Sequence, residues 1–246
     1  MPKTLILIPS RMSATRLPGK PLLKINNLSI ISHVVNTAKR TKIGRVVVCT
    51  EDHSILEEVI KNGGEAILTG SHHKSGTDRI FEAYKKLNIN NLDYILNLQG
   101  DEPSLDEDDI INLNNLMIKN NLDIGTLGAE VRNENFFINK NIVKVITKKK
   151  LDSKNFSQAL SFRRNHIPKK TENVYHHIGI YAYKIKTLEK FINLNQTKNE
   201  IKNKLEQLRA LENNLEINIT LAKSSPIGVD TMEDYLALKK IMEYKS

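Results

Sequence analysis

The fold is decided by residues 45–68, whose sequence is RVVVCTEDHSILEEVIKNGGEAIL. The β-branched run at 45–50 is typical of a buried strand, and the amphipathic segment at 54–62 is typical of a helix that Asp52 or Ser54 can cap. Gly63 and Gly64 end that helix, and residues 66–68 predict the next strand. A strand, a helix and a strand in this order form the unit from which parallel sheets are built.

The same alternation continues on both sides of this stretch. Further strands are predicted at 4–8, 93–98, 178–183 and 217–222, and further helices near 29–40, 77–87, 201–213 and 232–244. The sequence therefore predicts a three-layer α/β fold, with a mostly parallel mixed sheet covered by helices on both faces. The pattern loosens between about 133 and 176, which indicates a small inserted subdomain within a single domain of residues 1–246.

The composition is typical of a protein outside the membrane. The longest apolar runs have strand length, far short of the ~20 residues that a membrane-spanning helix needs. The amino terminus enters a predicted strand without the apolar core of a secretory signal. The single cysteine, Cys49, leaves no intrachain disulfide and is interpreted as buried packing. We therefore expect a cytoplasmic protein with no membrane partner.

The formal net charge of +9 favours an anionic partner, which could be nucleic acid, a membrane surface or a small substrate. The dense basic run at 148–150 has no aromatic neighbours to stack on bases, so we interpret it as a solvated turn and expect no nucleic-acid partner. A non-enzymatic nucleic-acid-binding protein would explain the charge. It would not explain the carboxylates described below, which repel a phosphate backbone unless a metal ion lies between.

The loop that follows the first predicted strand is rich in cations. Residues 8–21 read IPSRMSATRLPGKP, which is neither the P-loop pattern GxxxxGK(S/T) nor a GxGxxG fingerprint. In open α/β sheets, ligands bind beyond the carboxyl ends of the strands. Arg11, Arg16 and Lys20 could therefore meet a triphosphate there, and Gly19 would let backbone amides approach it. Taken alone, this loop could equally be a solvent-exposed basic turn.

Two carboxylates are predicted near the ends of other strands. Asp101 lies in QGDEP at 99–103, and Asp230 lies in IGVDT at 227–231, which we expect to follow a strand and precede a helix. Mg²⁺ is usually held by one or two protein carboxylates, with phosphate oxygens and water in its other positions. We therefore predict that Asp101 and Asp230 bind Mg²⁺. Taken singly, each aspartate could instead cap the helix that follows it.

A small polar turn, SGTDR at 75–79, precedes another helix. Its amides could read the edge of a nucleobase, while Asp78 and Arg79 could simply cap and pair within the fold. His72 and His73 come just before this turn. Adjacent residues of an extended chain point to opposite sides, so we do not expect these two histidines to form a metal pair.

These motifs together resemble those of the CMP-Kdo synthetase (3-deoxy-manno-octulosonate cytidylyltransferase) family over nearly the whole chain. The resemblance also includes HIGIYAY at 177–183 and LEQLRALE at 205–212. It implies the nucleotide-diphospho-sugar transferase fold and the reaction of CTP with 3-deoxy-D-manno-octulosonate (Kdo), giving CMP-Kdo for lipopolysaccharide assembly and pyrophosphate. It further implies a homodimer.

The resemblance also implies roles for individual residues. Arg11 and Lys20 would hold the triphosphate with support from Arg16, Asp101 and Asp230 would bind Mg²⁺, and Ser75 and Gly76 would contact cytosine. The sugar acid would face a larger polar set: Gln99, Arg164, His177, Glu206 and Gln207. By residue type alone, Arg164, Glu206 and Gln207 could belong to solvated surfaces and His177 could be structural.

The chain departs from the family pattern at Glu51 and His176 and in the basic run 163–166. These departures leave the choice of sugar open between Kdo and a related acid, such as 8-amino-Kdo or a sialic-acid-like sugar.

Overall fold

The computed structural model describes residues 3–13, 16–131, 134–223 and 225–244. The strands of these residues are β1 (Thr4–Ser10), β2 (Lys24–Ile25), β3 (Leu28–Ser29), β4 (Val46–Thr50), β5 (Ala66–Leu68), β6 (Tyr94–Asn97), β7 (Ile124–Ala129), β8 (Lys144–Thr147), β9 (Ser157–Arg163), β10 (Val174–Lys184) and β11 (Asn218–Leu221). The helices are α1 (Ile30–Arg40), α2 (His53–Lys61), α3 (Gly76–Leu87), α4 (Glu107–Asn120), α5 (Ile185–Ile192), α6 (Lys198–Asn203), α7 (Gln207–Glu212) and α8 (Met232–Tyr244).

The chain forms two compact units. One unit comprises Met1–Ile110 with Pro226–Ser246, and the other comprises Ile111–Ser225. Among the described residues, no helix is both long enough and apolar enough to cross a membrane. The single-domain organisation of the whole chain stays a prediction.

The first unit contains a parallel sheet in the order β5-β4-β1-β6. β1 lies between β4 and β6, with Ile6 opposite Val46 and Thr4 opposite Tyr94. Every residue of β1 is buried, as expected for a strand covered on both faces. The predicted strands in this half of the chain are confirmed, with ends that differ by up to two residues.

Helices cover both faces of this sheet. The connections β1-α1-β4 and β4-α2-β5 run in one direction, whereas β5-α3-β6 runs back past β1, so right-handed crossovers place α3 on the face opposite α1 and α2. The three-layer prediction is thereby confirmed for this unit. Ser29 and Ser75 cap α1 and α3 with their side chains. Asp52 occupies the N-cap of α2, as predicted, although its side chain makes no cap hydrogen bond.

The strand order creates a crevice beside β1. The chain leaves β1 toward β4 on one side and later returns to place β6 on the other side. Such a reversal separates the loops that follow the two neighbouring strands and is where open α/β sheets bind their ligands. In this unit the segments that follow β1 and β6 are the cationic loop and the QGDEP motif, respectively.

The second unit has mixed pairing. Its strands follow the order β10-β7-β11-β9-β8. β8 also pairs with β10, so the last strand of this order is hydrogen-bonded to the first. β7 and β11 are parallel, whereas the other pairs described in this unit are antiparallel. The loosely patterned region at 133–176 supplies β8, β9 and the first residues of β10. Parallel pairing therefore dominates in the first unit only.

Several elements of this unit differ from the sequence predictions, and α5 is among those that were not predicted. The single helix predicted at 201–213 is wrong, because the chain turns through a left-handed conformation at Lys204 and forms two short helices, α6 and α7. β7 was not predicted, because Gly125 and Gly128 interrupt its apolar pattern. A side chain at Gly125 would come within 2.3 Å of the Met117 sulfur, so the glycine allows α4 to pack closely on β7.

Candidate active site

The cationic loop folds back on itself directly after β1. The amide of Gly19 donates to the Met12 carbonyl at 3.1 Å, and Gly19 has a φ of 73°, which favours glycine. The amide of Met12 donates to the Asp52 carboxylate at 2.8 Å. The Asp52 carboxylate therefore fixes this loop. The sequence did not predict this role, because Asp52 was assigned to helix capping alone. Ala14 and Thr15 of the predicted loop lie outside the described residues.

Close backbone packing brings Asp101 to this loop. A side chain at Gly100 would meet the Pro9 carbonyl oxygen at 3.0 Å and the Ile31 side chain at 3.2 Å, so glycine lets the segment after β6 approach the end of β1. Asp101 follows immediately. The cap of α4 is formed instead by Asp106, whose carboxylate accepts from the Asp108 amide at 2.8 Å. The alternative in which Asp101 caps α4 is thus excluded.

The segment before α8 brings the second carboxylate. Its main chain is tied to the QGDEP motif, because the Ile227 amide donates to the Ser104 hydroxyl at 2.9 Å and the Val229 amide donates to the Asp101 carbonyl at 2.9 Å. Val229 also anchors the segment in an apolar cluster with Leu17, Ile25, Ile30 and Leu238.

Asp230 does not follow a strand directly, as the sequence reading expected. β11 ends at Leu221, and the described residues between it and Asp230 form no strand. Asp230 does not cap α8 with its side chain either. Thr231 and Asp234 supply that cap: the Asp234 amide donates to the Thr231 hydroxyl, and the Thr231 amide donates to the Asp234 carboxylate at 2.9 Å. The Asp230 carboxylate is left to face the cationic loop.

Both carboxylates meet at Lys20. Its amino group lies 2.6 Å from the Asp101 carboxylate, 2.8 Å from the Val229 carbonyl and 3.4 Å from the Asp230 carboxylate. Arg16 contacts the other oxygen of Asp230 at 2.9 Å. Arg11 is exposed just after β1. The structure therefore collects the predicted triphosphate and metal residues at one end of the sheet.

The donor set at Lys20 fits a divalent cation. Two carboxylates and a backbone carbonyl converge on a position that the amino group of Lys20 occupies. Oxygen ligands of this kind suit Mg²⁺, which keeps further positions for phosphate oxygens and water. Asp101 and Asp230 are also partly exposed, so a hydrated ion can reach them. A cation bound here would share these oxygens with the Lys20 ammonium.

The residues predicted to contact the base lie beside the end of β1. A side chain at Gly76 would come within 3.1 Å of the Pro9 ring and 4.0 Å of the Gln99 side chain, so glycine permits this close approach. The Ser75 hydroxyl accepts from the Asp78 amide at 3.1 Å and is engaged in capping α3. Arg79 is buried and pairs with Glu51, which agrees with its structural interpretation.

In the second unit, a buried polar group gathers around Tyr181. The His177 ring lies in β10, 3.2 Å from the Thr126 hydroxyl and against the Tyr181 ring. Burial, followed by the charges of His176 and Arg164, lowers the His177 pKa to about 3, so the ring is neutral at pH 7. Burial raises the Tyr181 pKa, as do nearby Tyr183 and Glu206. The Tyr181 hydroxyl is buried and has no hydrogen-bond partner among the described residues.

Tyr181 was not singled out in the sequence reading, although it lies within the HIGIYAY motif. Sequence alone does not separate it from other strand tyrosines, because the distinguishing observation is the unsatisfied hydroxyl of a buried side chain.

Arg164 is held in place by a buried lysine. The Lys144 side chain is fully buried, and its amino group donates to the carbonyls of Asn139 and Arg164. The Arg164 guanidinium donates to the Asn141 carbonyl at 3.1 Å. Burial and the charge of Arg164 lower the Lys144 pKa. Sequence gives little signal for Lys144, because it lies among several surface lysines.

Glu206 and Gln207 begin α7 and are positioned by a buried ion pair. Arg209, also in α7, makes a two-point contact with Glu200 of α6, at 2.6 and 2.9 Å. Its guanidinium packs over the Phe191 ring at 4.7 Å. Glu200 also completes a capping box with Thr197. The buried pair of Arg209 and Glu200 thus fixes α7 against α6. It thereby also fixes the position of the first turn of α7.

Comparison with known proteins gives the family. The family model described as Cytidylyltransferase matches residues 5–217. The chain is also 42% identical over 241 residues to the 3-deoxy-manno-octulosonate cytidylyltransferase of Bartonella bacilliformis, with 98% of each chain covered. The chain belongs to the 3-deoxy-manno-octulosonate cytidylyltransferase family. A second member, from Rhodopseudomonas palustris, is 42% identical over 244 residues, with 99% of each chain covered.

The fold of the cytidylyltransferase family is confirmed by a solved structure. CMP:2-keto-3-deoxy-manno-octonic acid synthetase, complexed with CTP, matches this chain with a TM-score of 0.89 and 31% identity. The match covers 99% of this chain and 100% of that protein. The α/β fold and the family resemblance inferred from the motifs are therefore confirmed. The roles of the individual site residues stay predictions.

Proposed function

We propose that this protein transfers CMP from CTP to the anomeric hydroxyl of Kdo and releases pyrophosphate. Membership of a cytidylyltransferase family, with near-complete coverage of relatives named for this activity, supports the reaction. The observation that carries the proposal is the convergence of the cationic loop, Asp101 and Asp230 at Lys20. Such a grouping suits a triphosphate, because cations bind its oxygens and paired carboxylates hold its metal ion.

The nucleotide would be bound by the first unit. Arg11 and Lys20 would neutralise the triphosphate, and Arg16 would support the loop through its contact with Asp230. Ser75 and Gly76 would present the start of α3 to the cytosine edge, beside Gln99. In the reaction the anomeric oxygen attacks the α-phosphorus, the bond to the bridging oxygen breaks, and pyrophosphate leaves with that oxygen. Positioning and charge neutralisation are the main contributions of a protein to such a transfer.

Asp101 and Asp230 would hold Mg²⁺ during turnover. When bound, the ion would supply positive charge to the triphosphate and lower the pKa of a hydroxyl that it coordinates. The protein's own contribution is the arrangement of the two carboxylates, which Gly100 and the anchored Val229 bring together. This donor set supports magnesium dependence.

The sugar acid would face the polar residues that the family resemblance implies: Gln99, Arg164, His177, Glu206 and Gln207. Arg164 suits a carboxylate, since a guanidinium can bond both oxygens. His177 is neutral and Glu206 is an acceptor, so they suit hydroxyl groups. The buried Tyr181 hydroxyl would donate a further hydrogen bond to the sugar acid. A buried hydroxyl without a partner costs about 1–3 kcal/mol, so a ligand or water that accepts from it is favoured.

The biological setting follows from the same proposal. Activated Kdo would serve lipopolysaccharide assembly, and the protein would act in the cytoplasm as a homodimer with CTP and Kdo as its substrates. Light scattering of the purified protein should give twice the mass of 28.0 kDa, and a monomer at micromolar concentration would contradict the dimer.

The reaction is tested by pyrophosphate release from CTP, Mg²⁺ and Kdo. Parallel reactions contain 8-amino-Kdo or sialic acid, and a control omits magnesium. We expect release that requires both Kdo and magnesium. Turnover with another acid alone would keep the cytidylyl transfer and change the sugar. The absence of pyrophosphate release with all three acids would contradict the proposed catalytic activity.

A further inference from the structure

The first unit contains a further group of side chains of metal-ligating type, which shares no residue with the Lys20 contacts. Among the described residues, one atom each from His72, His73 and Glu82 lie within 4.8 Å of one another. The two histidine rings lie on the same side of the chain, with centroids 4.4 Å apart. The prediction that these histidines point apart is therefore wrong, because the segment bends before α3 and is not extended.

Gly70 makes this arrangement possible. A side chain at Gly70 would lie 2.5 Å from the His72 ring, so the absence of a Cβ leaves room for that ring beside the other two ligands. The Gly70 amide also donates to the Glu82 carboxylate at 2.9 Å. Gly70 thus leaves space for the His72 ring and orients the Glu82 carboxylate.

Neighbouring groups hold the Glu82 carboxylate in position and keep it ionised. Lys86 contacts one of its oxygens at 2.6 Å, and His73 contacts the other oxygen. Burial raises the Glu82 pKa, but hydrogen bonds from Lys86, Gly70 and His73 outweigh that effect and lower it to about 2. Glu82 is therefore charged at neutral pH. Secondary partners that fix a ligating carboxylate are typical of metal sites.

Two imidazoles and a carboxylate form a set that Zn²⁺ and Co²⁺ prefer and that Mg²⁺ does not. His73 and Glu82 are partly buried, whereas His72 is exposed, so a metal ion can enter from solvent and keep water as a further ligand.

We propose that His72, His73 and Glu82 form a binding site for a transition-metal ion of the Zn²⁺ type. His73 exchanges its hydrogen bond to Glu82 for a shared metal ion, and Lys86 retains the second carboxylate oxygen. The ion joins the 70–73 segment to the second turn of α3 and so stabilises the turn that carries Ser75 and Gly76.

The test uses the full-length protein, stripped of metal and kept in excess Mg²⁺ so that Asp101 and Asp230 are occupied. Zinc affinity is measured by competition with a chromophoric chelator, and Co²⁺ binding by its visible absorption. We expect one equivalent of zinc per chain. His72→Asn should lower the affinity by about tenfold or more, since even outer-shell changes cost metal sites this much. The metal-free melting temperature should be unchanged, because the contact between His73 and Glu82 remains.

Matched variants separate this site from other sites. His53→Asn removes an exposed histidine of the same unit and should bind zinc as the wild type does. Asp101→Asn should also retain zinc binding. Equal affinity in His72→Asn and the wild type would overturn the proposal, and so would a loss that occurs in Asp101→Asn. Zinc binding is read without turnover, so its outcome is independent of the cytidylyltransferase activity.

Discussion

The amino group of Lys20 lies 2.6 Å from the carboxylate of Asp101, although the two residues are 81 positions apart. Lys20 follows β1 and Asp101 follows β6, and these strands are direct neighbours in a parallel sheet. The carboxyl ends of parallel neighbours lie at the same edge, so the two loops must meet there. This contact links the fold to the chemistry of the site.

Asp101→Asn should nearly abolish turnover and leave the fold intact. The substitution keeps the shape of the side chain but removes the charge that Lys20 contacts and that the proposed metal ion would share. We expect kcat for pyrophosphate release to fall about a hundredfold or more, beyond the range typical of outer-shell metal partners. Thermal melting should be close to that of the wild type, because Asp101 is partly exposed.

Asp106→Asn is the matched control for Asp101→Asn. It changes the cap of α4, so it should affect stability by about 1 kcal/mol or less and leave kcat unchanged. Appreciable activity of Asp101→Asn with a normal melting profile would show that Asp101 is not a required ligand.

Lys20→Met should increase the stabilisation that Mg²⁺ gives to the protein. In the wild type an ion bound as proposed would share Asp101 and Asp230 with the Lys20 ammonium group, whereas in the variant the carboxylates have lost that cation. The metal-free variant should melt lower, by about 2–4 °C for each kcal/mol lost in a protein of this size. Added Mg²⁺ should raise its melting temperature by more than it does for the wild type.

The double variant Lys20→Met with Asp101→Asn is the control for this effect, since it lacks one of the two predicted ligands. Its response to magnesium should be small. If magnesium shifts the wild type and Lys20→Met equally, then the ion and the ammonium do not share these carboxylates.

Lys144→Met should weaken the binding of the sugar acid and not that of CTP. The buried amino group holds the Arg164 carbonyl at 2.9 Å, and its loss frees the segment that carries the Arg164 guanidinium. We expect KM for Kdo to rise roughly tenfold, equivalent to about 1.4 kcal/mol. KM for CTP should not change. Lys150→Met, at an exposed lysine of the same unit, should leave both values unaltered, and equal rises in both KM values would point to general misfolding.

Stability should fall as the pH is lowered from 6.5 to 5. Burial lowers the pKa of His176 to about 4 and that of His177 to about 3, both from 6.5. In this window the unfolded chain binds protons at both histidines while the folded chain does not, so acid favours unfolding by up to about 1.4 kcal/mol per pH unit for each. Urea unfolding at pH 6.5 and 5 measures the loss.

His176→Gln removes one of these two groups and should lose less stability over the same window than the wild type. Parallel pH profiles of the two proteins would contradict the assigned burial of His176.

The main strands and helices of the first unit were predictable because local signals agree with the tertiary fold there, whereas the short strands β2 and β3 were not predicted. The run Val46–Thr50 is apolar on both faces, and Gly63 ends α2 at a φ of 73°. In the second unit they agree less well. The glycines of β7 interrupt the apolar pattern that would indicate a strand. The left-handed backbone conformation of Lys204 divides a segment whose pattern predicts one continuous helix. Those choices are made by packing on neighbouring elements, which a local pattern does not contain.

The sequence by itself determined the α/β fold, the cytidylyltransferase family and the residue types that a triphosphate and its metal ion require. Only the tertiary structure decided that Asp230 faces Lys20 while Thr231 and Asp234 cap α8, that Asp52 holds the Met12 amide, and that Lys144 is buried against Arg164. The physical reason is that local propensities and motifs act over a few residues. Contacts between side chains distant in sequence depend on strand order and on close approaches that single glycines allow.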